Sequence, residues 1–534
     1  VYSECLPFTA IPHSTRLFID FLYHFDRVQQ FYPEPPRSTA WIGSHDLRFR
    51  DDQTRRWRTV AEILVRQNRR WGASQQAIEN ARRLGQGSRA IVTGQQVGLF
   101  GGPAYAIYKA LTAIRYAQEF TRAGVECVPV FWMATEDHDF AEINHVLLPS
   151  SAGIQKVEID GGAPDGSLVG TNPLGPKVNR ALEAAAESFG SSDLLLKLRD
   201  AYQPDATFGS AFARFIATIF SPYGLVLMDP SDRELHALSA PIYSAAVERS
   251  AELNREVQER GRDLESAGYH QQVKVTSGTS FLFALEKGIR KPILRSNNGF
   301  DISGKKAKPE AILELTQKHP ELLSPNALLR SSIQDFLLPT VLYIGGPAEI
   351  AYWAQSAPLQ QSLLGRVTPI THRLSATLVE SAEQRLFKKY GLSLPDLFSG
   401  PEHTRERLAA RVLPAQLQSR FATTRDDLSE RLTGLQTELE KLDHTLVDAA
   451  RRAGSKMCYQ LERLRGRAAR AELRRNEEVA RHADRLSSAL YPNKALQERV
   501  YPGAYYLARY GDDLLSGLLD HVHIECPDHQ VVSL

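Results

Sequence analysis

The segment Thr93-Gly-Gln-Gln-Val-Gly-Leu-Phe-Gly-Gly-Pro103 follows the apolar run Ala90-Ile-Val-Thr93 directly. A glycine-rich turn after a strand lets backbone N–H groups approach an anion, and the helix that follows adds its positive end. Gly98, Gly101 and Gly102 remove Cβ obstruction, and Pro103 suits a first helical position. Gln95 and Gln96 offer neutral donors and acceptors, and Tyr105 and Lys109 fall in the first two helical turns, where Lys109 could face a phosphate or carboxylate. The spacing is neither G-x-G-x-x-G nor G-x-x-x-x-G-K-[ST], so the named nucleotide motifs do not apply. The plain alternative is a tight strand-to-helix connection with glutamines facing solvent.

A second group, Glu136-Asp-His-Asp139, ends the run Val125–Ala134. In an open α/β sheet that strand end faces the ligand crevice. His138 can act as acid or base near neutrality, and Glu136, Asp137 and Asp139 could hold an amine, a ribose hydroxyl or magnesium. The competing reading is a helix N-cap by Asp137 or Asp139. A third group, Tyr343-Ile-Gly-Gly-Pro-Ala-Glu-Ile-Ala-Tyr-Trp353, repeats the strand–turn–helix pattern: Gly345 and Gly346 form the turn, and Glu349 and Tyr352 stand one helical turn apart. A fourth, Thr371-His-Arg-Leu-Ser-Ala-Thr377, reads as a polar, basic loop before a helix and could bind phosphate through Arg373, Ser375 and Thr377 or cap that helix.

Two further stretches have weaker chemistry. Arg463, Arg465, Arg467, Arg470, Arg474, Arg475, Arg481 and Arg485 crowd one helix, which reads as a nucleic-acid patch or, better, as a solvated coiled-coil face without interleaved aromatics. Tyr505, Tyr506, Arg509 and Tyr510 could stack on a base and clamp a phosphate, or dock the tail onto the core.

The elements that must carry these groups follow from periodicity. Ala90–Thr93, Val125–Ala134, Gly224–Met228 and Val341–Ile344 are apolar runs suited to strands covered on both faces. Ala104–Phe120 has the 3–4 spacing of a helix, so strand, turn, helix and strand compose a parallel-sheet unit. Residues 148–205 are rich in Gly, Pro and Ser, and Gln272–Thr276, Phe281–Ala284 and Pro292–Arg295 read as short strands of an insertion. Residues 1–85 read mainly as helix. Phe421, Leu428, Leu432, Leu435, Leu439, Leu442 and Leu446 form a heptad seam, Gly454 breaks it, and a second helix runs to Pro492, predicting an antiparallel hairpin with an acidic first arm and a basic second one.

Bulk properties narrow the class. The chain has 64 Lys and Arg against 62 Asp and Glu, so net charge gives no reason to expect a polyanionic partner. No basic segment followed by an apolar stretch opens it, and no apolar run approaches the roughly 20 residues that span a bilayer. Cys5, Cys127, Cys458 and Cys526 are scattered, which suits a reducing cytoplasm and offers no local zinc pair, so no metal site is expected.

The runs GQQVGLFGGPAYAIYK, PVFWMATEDHDFAEIN and SPNALLRSSIQDFLLPTVLYIGGPAEIAYW together resemble the bacillithiol biosynthesis cysteine-adding enzymes, a family of cysteine ligases. The similarity extends in order from LPFTAIP to YYLARYG and HQVV, essentially the whole chain. The resemblance implies an α/β fold: a Rossmann-type parallel-sheet core like that of class I aminoacyl-tRNA synthetases, with connective-peptide insertions and a C-terminal antiparallel α-helical coiled coil associated with a homodimer. On that plan residues 1–85 are a helical segment packed on the core, 86–376 the catalytic core with insertions at about 148–205 and 233–334, 377–491 a helical region whose hairpin covers about 413–491, and 492–534 a segment docking back on the core.

The resemblance also implies a reaction: addition of L-cysteine to the amino group of glucosaminyl malate, with ATP and magnesium expected and a cysteinyl adenylate as intermediate by analogy with the synthetases. Gly94–Pro103 then takes the place of the synthetase HIGH signature, with Gln95, Gln96 and backbone amides standing in for its histidines. Glu136, Asp137, His138 and Asp139 line the amino-acid or ribose side as the catalytic group, Arg373–Thr377 stands where a KMSKS loop would be, and Tyr506 with Arg509 marks a second nucleotide pocket. Small-molecule substrates and a second copy of the chain are the expected partners; membrane and nucleic acid are not. The alternatives are an RNA-binding protein using the Arg-rich arm and a non-catalytic nucleotide-binding scaffold.

Overall fold

The computed structural model describes residues 3–36, 51–150, 153–160, 164–411 and 413–534, the side chains of 51, 52 and 472–475 aside. Two compact units result: residues 3–376 with 498–530, and residues 377–497 with 531–534.

The first unit is built on five parallel strands: β1 (Arg89–Gln95), β2 (Cys127–Met133), β3 (Val226–Met228), β4 (Thr340–Gly345) and β5 (Ile370–His372). Their spatial order is 3-2-1-4-5, with β1 pairing β2 on one side and β4 on the other. This is the Rossmann-like order, and it reverses direction between β1 and β4, where such sheets open a crevice. β2, β3 and β4 are buried along their whole length, as expected of strands covered on both faces. Ile91, Leu342 and Ile344 pack with Ala113, Tyr116 and Phe120 of helix α1 (Ala104–Arg122). Each large apolar side chain so enclosed contributes about 1.5–3 kcal/mol relative to exposure.

The turn between β1 and α1 is set by three successive left-handed residues, Phe100, Gly101 and Gly102, with φ of 50°, 88° and 69°. A Cβ on Gly101 would sit 2.8 Å from the ring of Phe215, so sterics as well as φ demand glycine there. Phe100 accepts its conformation because its ring is wholly buried edge-on to Tyr202, whose hydroxyl accepts a hydrogen bond from Gly101 N–H.

Helix α2 (Arg233–Glu248) follows β3, and helices α3 (Ala327–Leu337) and α4 (Pro347–Leu364) flank β4. Between α2 and α3 lies an antiparallel sheet containing Thr279–Glu286, Ile289–Ser296, Gly299–Ile302, Lys305–Ala307 and Leu323–Pro325. His145–Ser150 and Gly153–Glu158 form a separate hairpin. One expectation needs correction. Gln272–Thr276 is not a strand: the side chain of Gln355 donates to Val273 O and accepts from Val273 N, replacing a strand neighbour. The described part of residues 1–85 is mainly helical, with one short strand at Ser3–Leu6, and residues 37–50 lie outside the described residues.

In the second unit, α5 (Ala415–Leu442) and α6 (Leu446–Arg475) are the two arms, and α7 (Glu477–Leu490) follows. The break falls at Asp443–Thr445, where the Asp443 carboxylate accepts from Thr445 N–H and hydroxyl at 2.8 Å each. Gly454 lies inside α6 and lets the arms approach, since a Cβ there would sit 3.2 Å from Leu432. The basic arm meets its acidic partners within the arm or elsewhere in the unit. Among the described residues Arg451 pairs with Asp448 and Arg465 with Glu462 on the same arm, while Arg470 reaches Glu406 and Arg485 reaches Glu383. The side chains of Arg474 and Arg475 lie outside the described residues.

Candidate active site

A chamber of about 410 Å³ opens at the carboxyl ends of β1, β2 and β4, at the point where the strand order reverses. It is lined by Gln95, Gln96, Tyr105 and Lys109 from the first motif, by Glu136 and Asp137 from the second, by Gly346, Glu349 and Tyr352 from the third, and by Arg373 from the fourth. Residues with more than 200 positions between them in sequence therefore share one wall.

Lys109 stands near the centre. Its ammonium lies 2.5 Å from Glu349 and donates to Gly94 O at 2.7 Å and to Gln95 Oε1 at 3.0 Å. Glu349 also accepts from Tyr343 Oη and Gly346 N–H, at 2.7 Å each. Burial alone would raise the Glu349 carboxyl, but Lys109 and these donors more than offset it and the group is held below the usual carboxylate range. The Gly346 amide at the start of α4 is thus already used, and the turn Gly345–Gly346 is not an open anion cradle. A Cβ on Gly345 would meet Ile370 at 2.9 Å, so that glycine serves packing.

Gln96 bridges two carboxylates, donating to Asp137 and Glu142 at 2.6 Å each. Burial works against ionising Asp137, but hydrogen bonds from the His138 side chain, Gln96 and His138 N–H, together with Arg290, hold its carboxyl at about 2. His138 itself is about half exposed and lines neither chamber; its Nδ1 lies 3.2 Å from Arg290. Asp139 caps the short helix Phe140–Ile143, accepting from Glu142 N–H, which is the structural alternative read from the sequence.

Gly98 and Gly102 line a second chamber of about 280 Å³, which shares Gln95, Gln96, Tyr105, Glu142 and Arg499 with the first. Gly101 faces neither and packs on Phe215. Arg373 is paired with buried Glu498 at 2.6 Å, and Ser375 donates to the same carboxylate and lies 2.7 Å from His529. Ser375 thus lies behind the chamber, and Thr371–Thr377 is two short strands with a link, not a loop before a helix. Tyr506 packs edge-on to Tyr505 with centroids 5.0 Å apart, and Arg509 lies over Tyr505 at 5.5 Å; neither lines either chamber.

Several lining residues escaped the sequence reading. Arg330 is enclosed among Trp132, Tyr343 and Tyr352 and donates to Tyr352 Oη at 3.1 Å. Arg290 donates to Ser324 Oγ at 2.9 Å and to Pro325 O, with Phe283 beneath it at 4.1 Å. Arg330 and Trp132 lie within the long motifs that carry the resemblance, so proximity to those motifs was their signal. Arg290 and Arg499 had none, because their neighbours become neighbours only in the folded chain.

Comparison with known proteins agrees with this architecture. The family profile described as "Bacillithiol biosynthesis BshC, N-terminal Rossmann-like domain" matches residues 3–374, and that described as "Bacillithiol biosynthesis BshC, C-terminal coiled-coil domain" matches 376–534. Relatives named "Putative cysteine ligase BshC" include one from Koribacter versatilis, 42% identical with 99% of both chains covered, and one from Solibacter usitatus, 36% identical with 100% of both covered. A third, from Salinibacter ruber, is 32% identical, with 97% of this chain and 96% of its own covered. With both profiles matched end to end and relatives above 30% identity over the full length, the chain belongs to the BshC family of bacillithiol biosynthesis.

Proposed function

We propose that this chain joins the carboxyl group of L-cysteine to the amino group of glucosaminyl malate, forming bacillithiol in an ATP-dependent ligation. The observation that carries the reading is the mix of acidic and basic groups around the chamber. Glu136, Asp137 and Glu142 line it together with Arg290, and Lys109, paired with Glu349, lines it together with Arg330 and Arg373. A zwitterionic amino acid and an anionic co-substrate both find complementary groups in such a space.

The lining fits a nucleotide at one place better than at others. Lys109 and Gly346 are committed to Glu349, whereas Arg330 presents a half-buried guanidinium among Trp132, Tyr343 and Tyr352. Arg330 and Arg499 would hold phosphate oxygens there. ATP, when bound, supplies the leaving group that a free carboxylate lacks. Asp137, with its carboxyl at about 2, keeps its charge at neutral pH and is a poor proton acceptor, which suits an anchor better than a general base. Among the described residues no three His, Cys, Asp or Glu side chains are grouped as a metal site, so magnesium would arrive on the phosphates of the nucleotide.

A homodimer through the arms and a cytoplasmic location belong to the same reading. Leu435, Leu442, Met457 and Leu464 are exposed along the arms and would be covered by a second copy. No helix among the described residues is long and apolar enough to cross a membrane.

The test is direct. The protein is incubated with cysteine, glucosaminyl malate and MgATP, and bacillithiol, AMP and ADP are followed by mass spectrometry. Bacillithiol with stoichiometric AMP is the expected result. No thiol product with any nucleoside triphosphate, alongside an active relative, would overturn the reading.

A further inference from the structure

Glu136 continues behind the chamber wall into His236 and Tyr243, two buried groups that the account above leaves without a role. Glu136, at the end of β2, lines the chamber with only 9% of its surface exposed. His236 of α2 places Nε2 3.1 Å from Glu136 Oε1, and its Nδ1 lies 3.3 Å from the hydroxyl of Tyr243, two turns along the same helix. His236 and Tyr243 are both almost fully enclosed.

His236 approaches Glu136 at Oε1 from helix α2, and the same carboxylate lines the chamber. Burial pulls the His236 imidazole down, but Glu136, the Pro320 carbonyl and Asp229 together push it above its ordinary value, which favours the imidazolium. The ring thus has the Tyr243 oxygen at Nδ1 and the Glu136 carboxylate at ion-pair distance from Nε2. The other charged groups facing this cluster are Asp229, whose carboxyl is raised by burial, and Arg290, which interacts with both Glu136 and Asp137 and is tethered by Ser324 and Pro325.

We propose that Glu136 is the seat for the primary ammonium group of an amino-acid substrate and that His236 is the positioning residue that fixes it from behind. The rest of the substrate then extends from Glu136 into the chamber. The identity of the amino acid as cysteine rests on the proposed function; the ammonium seat does not.

Isothermal titration calorimetry with L-cysteine and with 3-mercaptopropionate, which keeps thiol and carboxylate but lacks the ammonium, reads this directly. The unaltered chain is expected to prefer cysteine by about tenfold or more, as for a charge-assisted hydrogen bond in an enclosed site. Glu136→Gln should bring the ratio near one, and His236→Gln should lower it severalfold. Tyr243→Phe, which opens no large cavity, should lower it to a smaller extent and serves if His236→Gln melts early by circular dichroism. A ratio unchanged in folded Glu136→Gln overturns the seat; one unchanged in both folded His236→Gln and Tyr243→Phe overturns the positioning role. A chain that instead prefers another amino acid over its des-amino analogue, and loses that preference in Glu136→Gln, overturns only the cysteine reading. A chain that binds no amino acid overturns both.

Discussion

The ammonium of Lys109 lies 2.5 Å from the carboxylate of Glu349, joining the helix after β1 to the helix after β4 at the point where the sheet reverses. Both side chains are largely enclosed, at 4% and 16% exposure. Removing one partner of such a pair leaves the other as an uncompensated buried charge, which costs about 3–5 kcal/mol. Lys109→Met and Glu349→Gln should each lose stability on that scale in denaturant unfolding. The double variant should lose less than the two losses added together. Additive losses would show that the pair is not coupled.

Asp137 makes the site sensitive to acid. Its carboxyl is held at about 2, below the ordinary 3.8, so its contribution to stability is fully present above pH 3.8 and is lost as pH falls toward 2. Because the side chain is 31% exposed, solvent screening reduces that contribution to about 1 kcal/mol. Asp137→Asn should be less stable than the parent by this amount at pH 7, and the gap should close near pH 2. A gap that persists unchanged at pH 2 would refute the ionic origin.

His529 predicts a second pH dependence in a milder range. Burial, aided by Arg373 and opposed by Glu498, lowers its imidazole from 6.5 to about 4. The neutral ring is therefore favoured in the folded chain, and stability present above pH 6.5 is lost as pH falls toward 4. The loss should amount to about 3 kcal/mol when fully developed, below pH 4. Thermal melts of the parent at pH 7.5 and 4.5 should differ more than those of His529→Gln. Equal differences in parent and variant would exclude His529 as the source.

The sheet was readable because buried parallel strands are continuous apolar runs: Ala90–Thr93, Val125–Ala134 and Val341–Ile344 each fall on a strand of the central sheet. The glycine-rich turns after β1 and β4 were readable for the same local reason. What the turns do was less legible. Gly346 looks from sequence like an anion site, yet its amide is consumed by Glu349 three residues on. His138, the most reactive residue type in its motif, lies outside the chamber, whereas His236, 98 positions later and on a different helix, stands directly behind it. Arg290 reaches the wall from an antiparallel strand of the insertion, a tertiary placement that no local pattern encodes.

Arg330 provides the sharpest separation of chemistry from stability. Its guanidinium donates to Gln334 at 3.0 Å, Tyr352 at 3.1 Å and Tyr343 at 3.4 Å, and lies against the ring of Trp132 at 5.9 Å. A lysine keeps the positive charge but is a single point donor, and it cannot reproduce a planar fork held between aromatic rings. Arg330→Lys should therefore fold, with a stability loss of about 1–3 kcal/mol from hydrogen bonds left unmade. Its effect on ligation should be much larger, about 100-fold or more in kcat/KM, because oriented charge at a transferring adenylyl group loses most of its value when misplaced. Steady-state assays at saturating cysteine, with MgATP varied, check this. A variant whose kcat/KM for MgATP stays within about threefold of the parent would remove Arg330 from the nucleotide site and leave it as a packing residue of α3.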